Sequence, residues 1–147
     1  MLHSQAPESM ELDQAFPICL EAQFLGGLEK GFERPSGNLC TPGTHVVMKD
    51  SLVTDHCINS ISGTVYNEDW VDVELLVLND SLISHMINGK EVIRYSKAVY
   101  GGEFLTETEE WQSKVGKPLS SGYIALQSES HPVEFRNIAL LELKDIK

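Results

Sequence analysis

A chain of 147 residues suits a single domain, and 41% hydrophobic residues are enough to build a core. Twenty-two acidic residues against 11 basic ones give a formal charge of -11, which disfavours nucleic acid and anionic lipid as partners. No apolar run approaches the roughly 20 residues needed to cross a bilayer, so we expect no membrane insertion.

The N-terminal segment 1–15 has neither the basic start nor the apolar stretch of a signal peptide. We expect 1–15 to be disordered or extended and 16–147 to form one domain. The first strand pattern lies at 17–25, where apolar and polar positions alternate with a period of two. This period places Glu21 and Gln23 on one face. The stretch 28–43 is rich in Gly, Pro, Ser and Asn and is interpreted as a long loop.

The middle of the chain carries the strongest β patterns. Shorter strands are predicted at 44–50 and 56–66, and the strongest one at 70–80. The second half of the last segment is apolar on both sides, which predicts a central strand covered by another sheet. Asn88-Gly89 then separates two apolar runs and predicts a tight β-hairpin, because both residues tolerate positive φ.

Periodicity lapses between 96 and 121, in an acidic connection. Thr106 and Glu109 have the spacing of a capping box, which predicts one or two helical turns there. Two further strands are predicted at 122–128 and 133–143, joined by a tight turn. Many short strands without strand–helix alternation are typical of an all-β antiparallel sandwich of the jelly-roll type.

Three cysteines leave at least one thiol unpaired within the chain. Cys40 and Cys57 flank a short polar segment and could form a disulfide in an oxidising compartment. We favour the alternative of three free thiols, with Cys19 buried in a strand. The spacing of the three matches no zinc-binding pattern.

Several short motifs occur in an order that is specific in combination. They are Glu21-Ala22-Gln23, Trp70 with Glu74, the hairpin His85-Met86-Ile87-Asn88-Gly89, Gly122-Tyr123-Ile124-Ala125-Leu126-Gln127, and Val133-Glu134-Phe135-Arg136-Asn137-Ile138. In these motifs the chain, from about Ile18 to Leu143, resembles the 3-keto-disaccharide hydrolase domain. The resemblance implies a concanavalin A-like, laminin-G-like jelly roll, a saccharide ligand or substrate, and a periplasmic or extracellular location for the full-length protein.

Two departures from the family pattern carry expectations of their own. Family members usually begin with strands before the Glu-x-Gln strand, so we expect the jelly roll to be incomplete at its N-terminus. Such a fold has an open sheet edge, which a second copy of the chain could cover to form a homo-oligomer. In the turn between the last two strands, Ser130 stands where a glycine is expected.

The activity that the resemblance implies is the cleavage of 3-keto glycosides, by hydrolysis or by elimination. A ketone at C3 acidifies the hydrogen at C2, so that a base can remove it and the C1 substituent can leave. Such a site needs a base, a donor for the enolate oxygen and an acid for the leaving group. Direct hydrolysis would instead need two carboxyl groups that flank the bond.

The candidate catalytic residues are Glu21 as base, with Glu129 and His131 in the last turn as proton carriers. Their alternatives are an ordinary polar sheet face for Glu21 and simple turn chemistry before Pro132 for His131. The candidate substrate-binding residues are Gln23, Gln127, Arg136 and Trp111. The alternative for Gln127 is a cross-strand hydrogen bond. For Arg136 we favour a structural ion pair, and for Trp111 packing over the core.

Other patterns indicate structure or remain open. His85 alternates with Ile83 and Ile87 and is interpreted as a hydrogen-bonded core histidine. No nucleotide-binding loop, nucleophile elbow or zinc-spaced histidine cluster is present, so no cofactor is identified, although the acidic loops leave a divalent cation such as calcium open. Besides an enzyme, the pattern admits a non-catalytic carbohydrate-binding module or a sheet-edge interaction domain.

Overall fold

A computed structural model describes residues 1–66 and 69–143. It contains eight strands, a 3-10 turn at Pro7–Ser9 and one helical turn, α1 (Glu109–Gln112). The strands are β1 (Glu21–Gln23), β2 (Asn38–Cys40), β3 (Thr44–Met48), β4 (Ser51–Val53), β5 (Cys57–Ile58), β6 (Val73–Leu78), β7 (Leu82–Ile87) and β8 (Lys90–Tyr100). They form a small sheet with the order β1-β2-β5 and a large sheet with the order β4-β3-β8-β7-β6. Every strand pair is antiparallel, which confirms the all-β jelly-roll sandwich.

The core lies between the inner faces of the two sheets. In the small sheet Ala22, Leu39 and Ile58 lie directly opposite one another, and Leu39 and Ile58 pack into the core. The large sheet contributes Val46, Ile83, Ile93 and Tyr95. Each fully buried aliphatic side chain of this kind stabilises the fold by roughly 1.5–3 kcal/mol. Because side chains alternate along a strand, Glu21, Cys40 and Cys57 project from the outer face of the small sheet.

Two local predictions from the middle of the chain are confirmed. Asn88 and Gly89, with φ of 50° and 75°, form the turn of the β7–β8 hairpin. Asn88 also accepts a hydrogen bond at Oδ1 from the backbone of Asp72, at 3.0 Å, so the turn holds the chain that leads into β6. His85 is fully buried, and its Nδ1 donates to the carbonyl of Gly37 while its Nε2 accepts from the hydroxyl of Tyr95, both at 2.9 Å.

The position of β6 corrects one expectation. It was predicted as a central strand, but it forms an edge of the large sheet, and Val73 and Leu78 are 40% and 39% exposed. The apolar residues on both faces of β6 are therefore partly open to solvent, and they do not mark a central strand.

The strands predicted after residue 121 are also corrected. Tyr123 makes an isolated bridge to Ser4, and neither 122–128 nor 133–143 forms a regular strand. Left-handed φ values at Ser130 (63°) and Asn137 (52°) interrupt the extended conformation, and the first of these explains why a glycine is expected at Ser130.

Two further differences concern the loops. Strand β2 lies within the stretch interpreted as a loop. The sequence did not reveal it, because a strand of three residues is too short to show a period among so many turn-forming neighbours. Helix α1 has the one turn expected, but its N-cap is Thr108, which makes no side-chain capping bond, so the capping box that starts at Thr106 does not form.

The N-terminal segment makes two isolated β-bridges, one to the residue before β1 and one to Tyr123. The backbone of Leu2 exchanges hydrogen bonds with Leu20, at 2.7 and 3.0 Å, and that of Ser4 exchanges them with Tyr123, at 2.8 and 2.9 Å. Gly122 makes this arrangement possible, because a Cβ there would lie 2.4 Å from the carbonyl carbon of His3.

Gly122→Ala is therefore expected to lower the free energy of unfolding by about 1–3 kcal/mol, the usual cost of an added methyl group without space. Urea unfolding monitored by circular dichroism measures the change. Gly63→Ala is the matched control, because a Cβ at Gly63 meets no atom within 4 Å. Equal midpoints for the two variants would show that the contact with His3 is not close enough to matter.

Candidate functional site

The candidate site lies on the outer face of the small sheet, around Glu21. The antiparallel register places Glu21 opposite Cys40 and Gln23 opposite Asn38, so these four side chains share one face. The alternation of the sequence predicted that Glu21 and Gln23 share a face. It did not predict that this face is covered, yet Glu21 is only 9% exposed and Asn38 only 2%.

The electrostatic surroundings of Glu21 favour its protonated form. Burial raises the pKa of its carboxyl group, and the negative charge of Glu129 raises it further. The α-amino group of Met1 and the imidazole of His56 oppose this effect. A carboxylate with a raised pKa is a stronger base than an ordinary glutamate, which suits the removal of a proton from carbon.

His56 is a neighbour of Glu21 that the sequence did not single out. Its carbonyl accepts hydrogen bonds from the backbone N–H of Thr41, at 2.8 Å, and from the Thr41 hydroxyl, at 3.2 Å. Its ring packs against Phe104 with a centroid separation of 4.9 Å. Within the described part of the chain, its buried Nδ1 has no hydrogen-bond partner. A polar residue immediately before a two-residue strand gives no periodic pattern, so only the fold could show this position.

Asn38 is a second residue that sequence reasoning missed. Its Nδ2 donates to Oε1 of Gln23 at 3.3 Å, and its Oδ1 accepts from the backbone N–H of Ser60 at 2.9 Å. These two bonds hold the Gln23 amide in one orientation beside Glu21 on the strand. The sequence did not indicate this role, because Asn38 lies in the segment 28–43, which was interpreted as a loop.

A disulfide joins the two cysteines next to Glu21 on this face. Cys40 and Cys57 are bonded at 2.05 Å, which corrects the expectation of three free thiols. They pair because β2 and β5 place them directly opposite one another, with a Cα separation of 4.1 Å. Cys19 is free and buried, as predicted, but it lies before β1 and not in a strand.

The last turn brings Glu129 close enough to Glu21 for the charge of Glu129 to raise the pKa of the Glu21 carboxyl group. The turn is held by the backbone N–H of His131, which donates to the carbonyl of Glu129 at 2.8 Å, and by the Ser128 hydroxyl, which donates to the carbonyl of His131 at 2.7 Å. Glu129 and His131 are both exposed. Over residues 1–66 and 69–143, no hydrogen bond joins the His131 ring to another residue.

The remaining candidates are not gathered around Glu21 to the same degree. Gln127 is half-buried and lies outside any strand. The guanidinium of Arg136 lies over the ring of Trp70, 3.9 Å from its centroid, in place of the structural ion pair that we favoured. Trp111 is 8% exposed, and the Lys114 ammonium covers its ring at 3.6 Å, which favours the packing alternative.

A shallow cleft of about 260 Å³ lies beside Trp111, and Tyr100, Tyr123, Lys114 and Gln5 also line it. In the parts of the chain that the structure describes, no group of three or more His, Cys, Asp or Glu side chains is placed to hold a metal ion. No helix in those same parts is long and apolar enough to span a bilayer.

A comparison with known families gives one match that covers most of the chain. Residues 1–141 match the family model of the 3-keto-alpha-glucoside-1,2-lyase-like domain. The chain belongs to this family. No curated protein and no solved structure shows a significant match to the chain. Membership confirms the resemblance described above and supports a carbohydrate-related function for the domain.

Proposed function

We propose that this domain cleaves 3-keto glycosides, with Glu21 as the general base that removes the C2 proton. The observation that supports it best is the placement of the Glu21 carboxyl group, buried on the outer face of the small sheet within range of Glu129 and His56. Family membership supports the substrate class.

The proposed reaction begins when the Glu21 carboxylate takes the proton from C2, whose acidity comes from the ketone at C3. The electron pair of the C2–H bond moves into an enolate. The enolate then forms the C1–C2 double bond as the C1–O bond breaks, and the departing oxygen takes a proton from an acid. Addition of water to this product gives net hydrolysis, with the hydroxyl at C1 and a solvent-derived proton at C2.

The other residues are given roles according to their surroundings. His56 lies beside Glu21 and is proposed to protonate the departing oxygen, and Glu129 is proposed to maintain the raised pKa of Glu21. Gln23, held by Asn38, and Gln127 are proposed to bind sugar hydroxyls. His131, in the same turn as Glu129, is proposed as a further proton carrier. Arg136 and Trp111 are proposed to bind the sugar from further away, because they contact Trp70 and Lys114.

A saccharide is the proposed ligand, and the periplasm or the extracellular space is the proposed location. The Cys40–Cys57 disulfide supports this location, because disulfides persist in oxidising compartments.

Incubation with a 3-keto disaccharide in D₂O tests the proposed reaction. We expect release of the monosaccharide and incorporation of deuterium at C2 of the 3-keto product, measured by NMR and mass spectrometry. A matched incubation with the unoxidised disaccharide should give neither. Release of a saturated 3-keto product without deuterium at C2 would contradict the role of a C2 base and favour direct hydrolysis, whereas an unsaturated product would show elimination without the addition of water.

The second candidate function is non-catalytic sugar binding. The 9% exposure of Glu21 favours it, since little of this residue is open to a ligand without movement of the surrounding loops. Saturable binding of the 3-keto disaccharide with no release of the monosaccharide would support this candidate over catalysis.

A further inference from the structure

The C-terminal segment 133–143 is exposed along its whole length. Its large apolar side chains expose between 39% and 81% of their surface: Val133, Phe135, Ile138, Leu140, Leu141 and Leu143. Within the part of the chain that the structure describes, no backbone hydrogen bond joins this segment to another element. Soluble monomers rarely leave such a contiguous apolar stretch in water, so the segment has the properties of an interaction surface.

A second unpartnered feature lies at the edge of the large sheet. Among the described strands, β6 pairs only with β7, and its other side is open. Glu74 is the single charged residue between Val73 and Leu78, so the edge lacks the charges that commonly block strand addition. An open edge of this kind binds extended segments through its backbone N–H and C=O groups.

The segment and the edge lie near each other in one chain but do not pair. Arg136 contacts the ring of Trp70, three residues before β6 begins. Asn137 then takes a left-handed conformation, with φ of 52°, which ends the extended path at this point. The residues after Asn137 therefore do not continue along their own β6.

We propose that a second copy of this chain covers both features, with segment 138–143 of each copy added as a strand to β6 of the other. A second copy is the partner that the structure favours, because each chain carries both the unpaired segment and the unpaired edge. In a twofold dimer each of these surfaces is used twice and none is left over. This proposal is independent of the proposed reaction.

The available apolar area agrees with a stable dimer. Eight large apolar residues are 39–81% exposed: the six in the segment together with Val73 and Leu78 of β6. Their exposed area is on the order of 800 Å² per copy, which is the share of one partner in an interface of standard size. Segment 138–143 carries one charge, Glu142, so the net charge of -11 is not concentrated in the contact.

Sedimentation velocity and light scattering on the full chain test the proposal. A chain of 16.4 kDa should give a mass twice that value at micromolar concentration. Leu140→Lys with Leu141→Lys, on the segment, and Val73→Lys, on the edge, should each weaken the dimer at least 10-fold. Leu52→Lys is the matched control, since Leu52 is 58% exposed on β4 at the opposite edge of the same sheet.

Hydrogen exchange gives a second measurement, in which the β6 amides of the dimer should exchange more slowly than those of the double-lysine variant. The urea midpoint of each variant shows whether the fold is retained. A monomer at every concentration would overturn the proposal. So would a dimer that survives the segment and edge substitutions, or one that Leu52→Lys disrupts equally.

Discussion

Glu21→Gln is expected to lower the rate of 3-keto disaccharide cleavage by about 10²–10⁴-fold, the usual contribution of a positioned general base. The substitution keeps the size of the side chain but removes the group that accepts the C2 proton. Initial rates of monosaccharide release measure the loss, and binding of the substrate should be retained. Glu74→Gln is the matched control, because Glu74 is an exposed glutamate on β6 and should leave the rate unchanged.

The pH dependence supplies a second test of Glu21. Only the ionised carboxylate accepts the proton, so activity should rise with pH through the pKa of Glu21, which burial and Glu129 raise above that of an ordinary glutamate. The folded state holds this proton more tightly than the unfolded state. Its contribution to stability is therefore present at low pH and is lost as pH rises through the raised pKa.

The raised pKa of Glu21 also predicts the stability of the Glu21→Gln variant. At neutral pH, Glu21→Gln should unfold at a urea concentration no lower than that of the unsubstituted protein, because it removes a partly desolvated charge. A variant that loses activity and also unfolds much more easily would indicate that Glu21 has a structural role. A variant that retains full activity would exclude Glu21 as the base.

Removal of the disulfide should have the largest effect on stability. Replacing Cys40 and Cys57 together by Ser is expected to lower the free energy of unfolding by about 3 kcal/mol, because the bond closes a loop between residues separated by 17 positions. Urea unfolding with and without a dithiol reductant measures this loss. The reductant should destabilise the unsubstituted protein by a similar amount and leave the double variant unchanged.

The disulfide variant also tests the site. Strand β5 has two residues and pairs only with β2 among the described strands, so the bond is a main constraint on the position of His56. If His56 protonates the leaving group, the double variant should retain substrate binding and lose turnover under conditions where it is folded. Unchanged turnover in the folded variant would show that His56 does not need this constraint.

The sequence predicted the parts of the fold that local patterns determine. Asn88-Gly89 identified the hairpin because this pair suits a turn with positive φ, and alternation around Glu21 identified which residues share its face. The edge position of β6 could not be predicted in the same way, because it depends on which strands lie next to β6 in the sheet. Strand β2, the pairing of Cys40 with Cys57 and the position of His56 depend on contacts between short segments, which no single period reveals.

The burial of Cys19 has a consequence for how the correct bond forms. Three cysteines allow three different pairings, and each requires a thiolate as the attacking group. Burial raises the pKa of the Cys19 thiol to about 12, so in the folded chain it stays protonated and out of reach of oxidants. Exchange between Cys19 and the Cys40–Cys57 disulfide is thereby suppressed, and an alkylating reagent should modify Cys19 only after the chain unfolds.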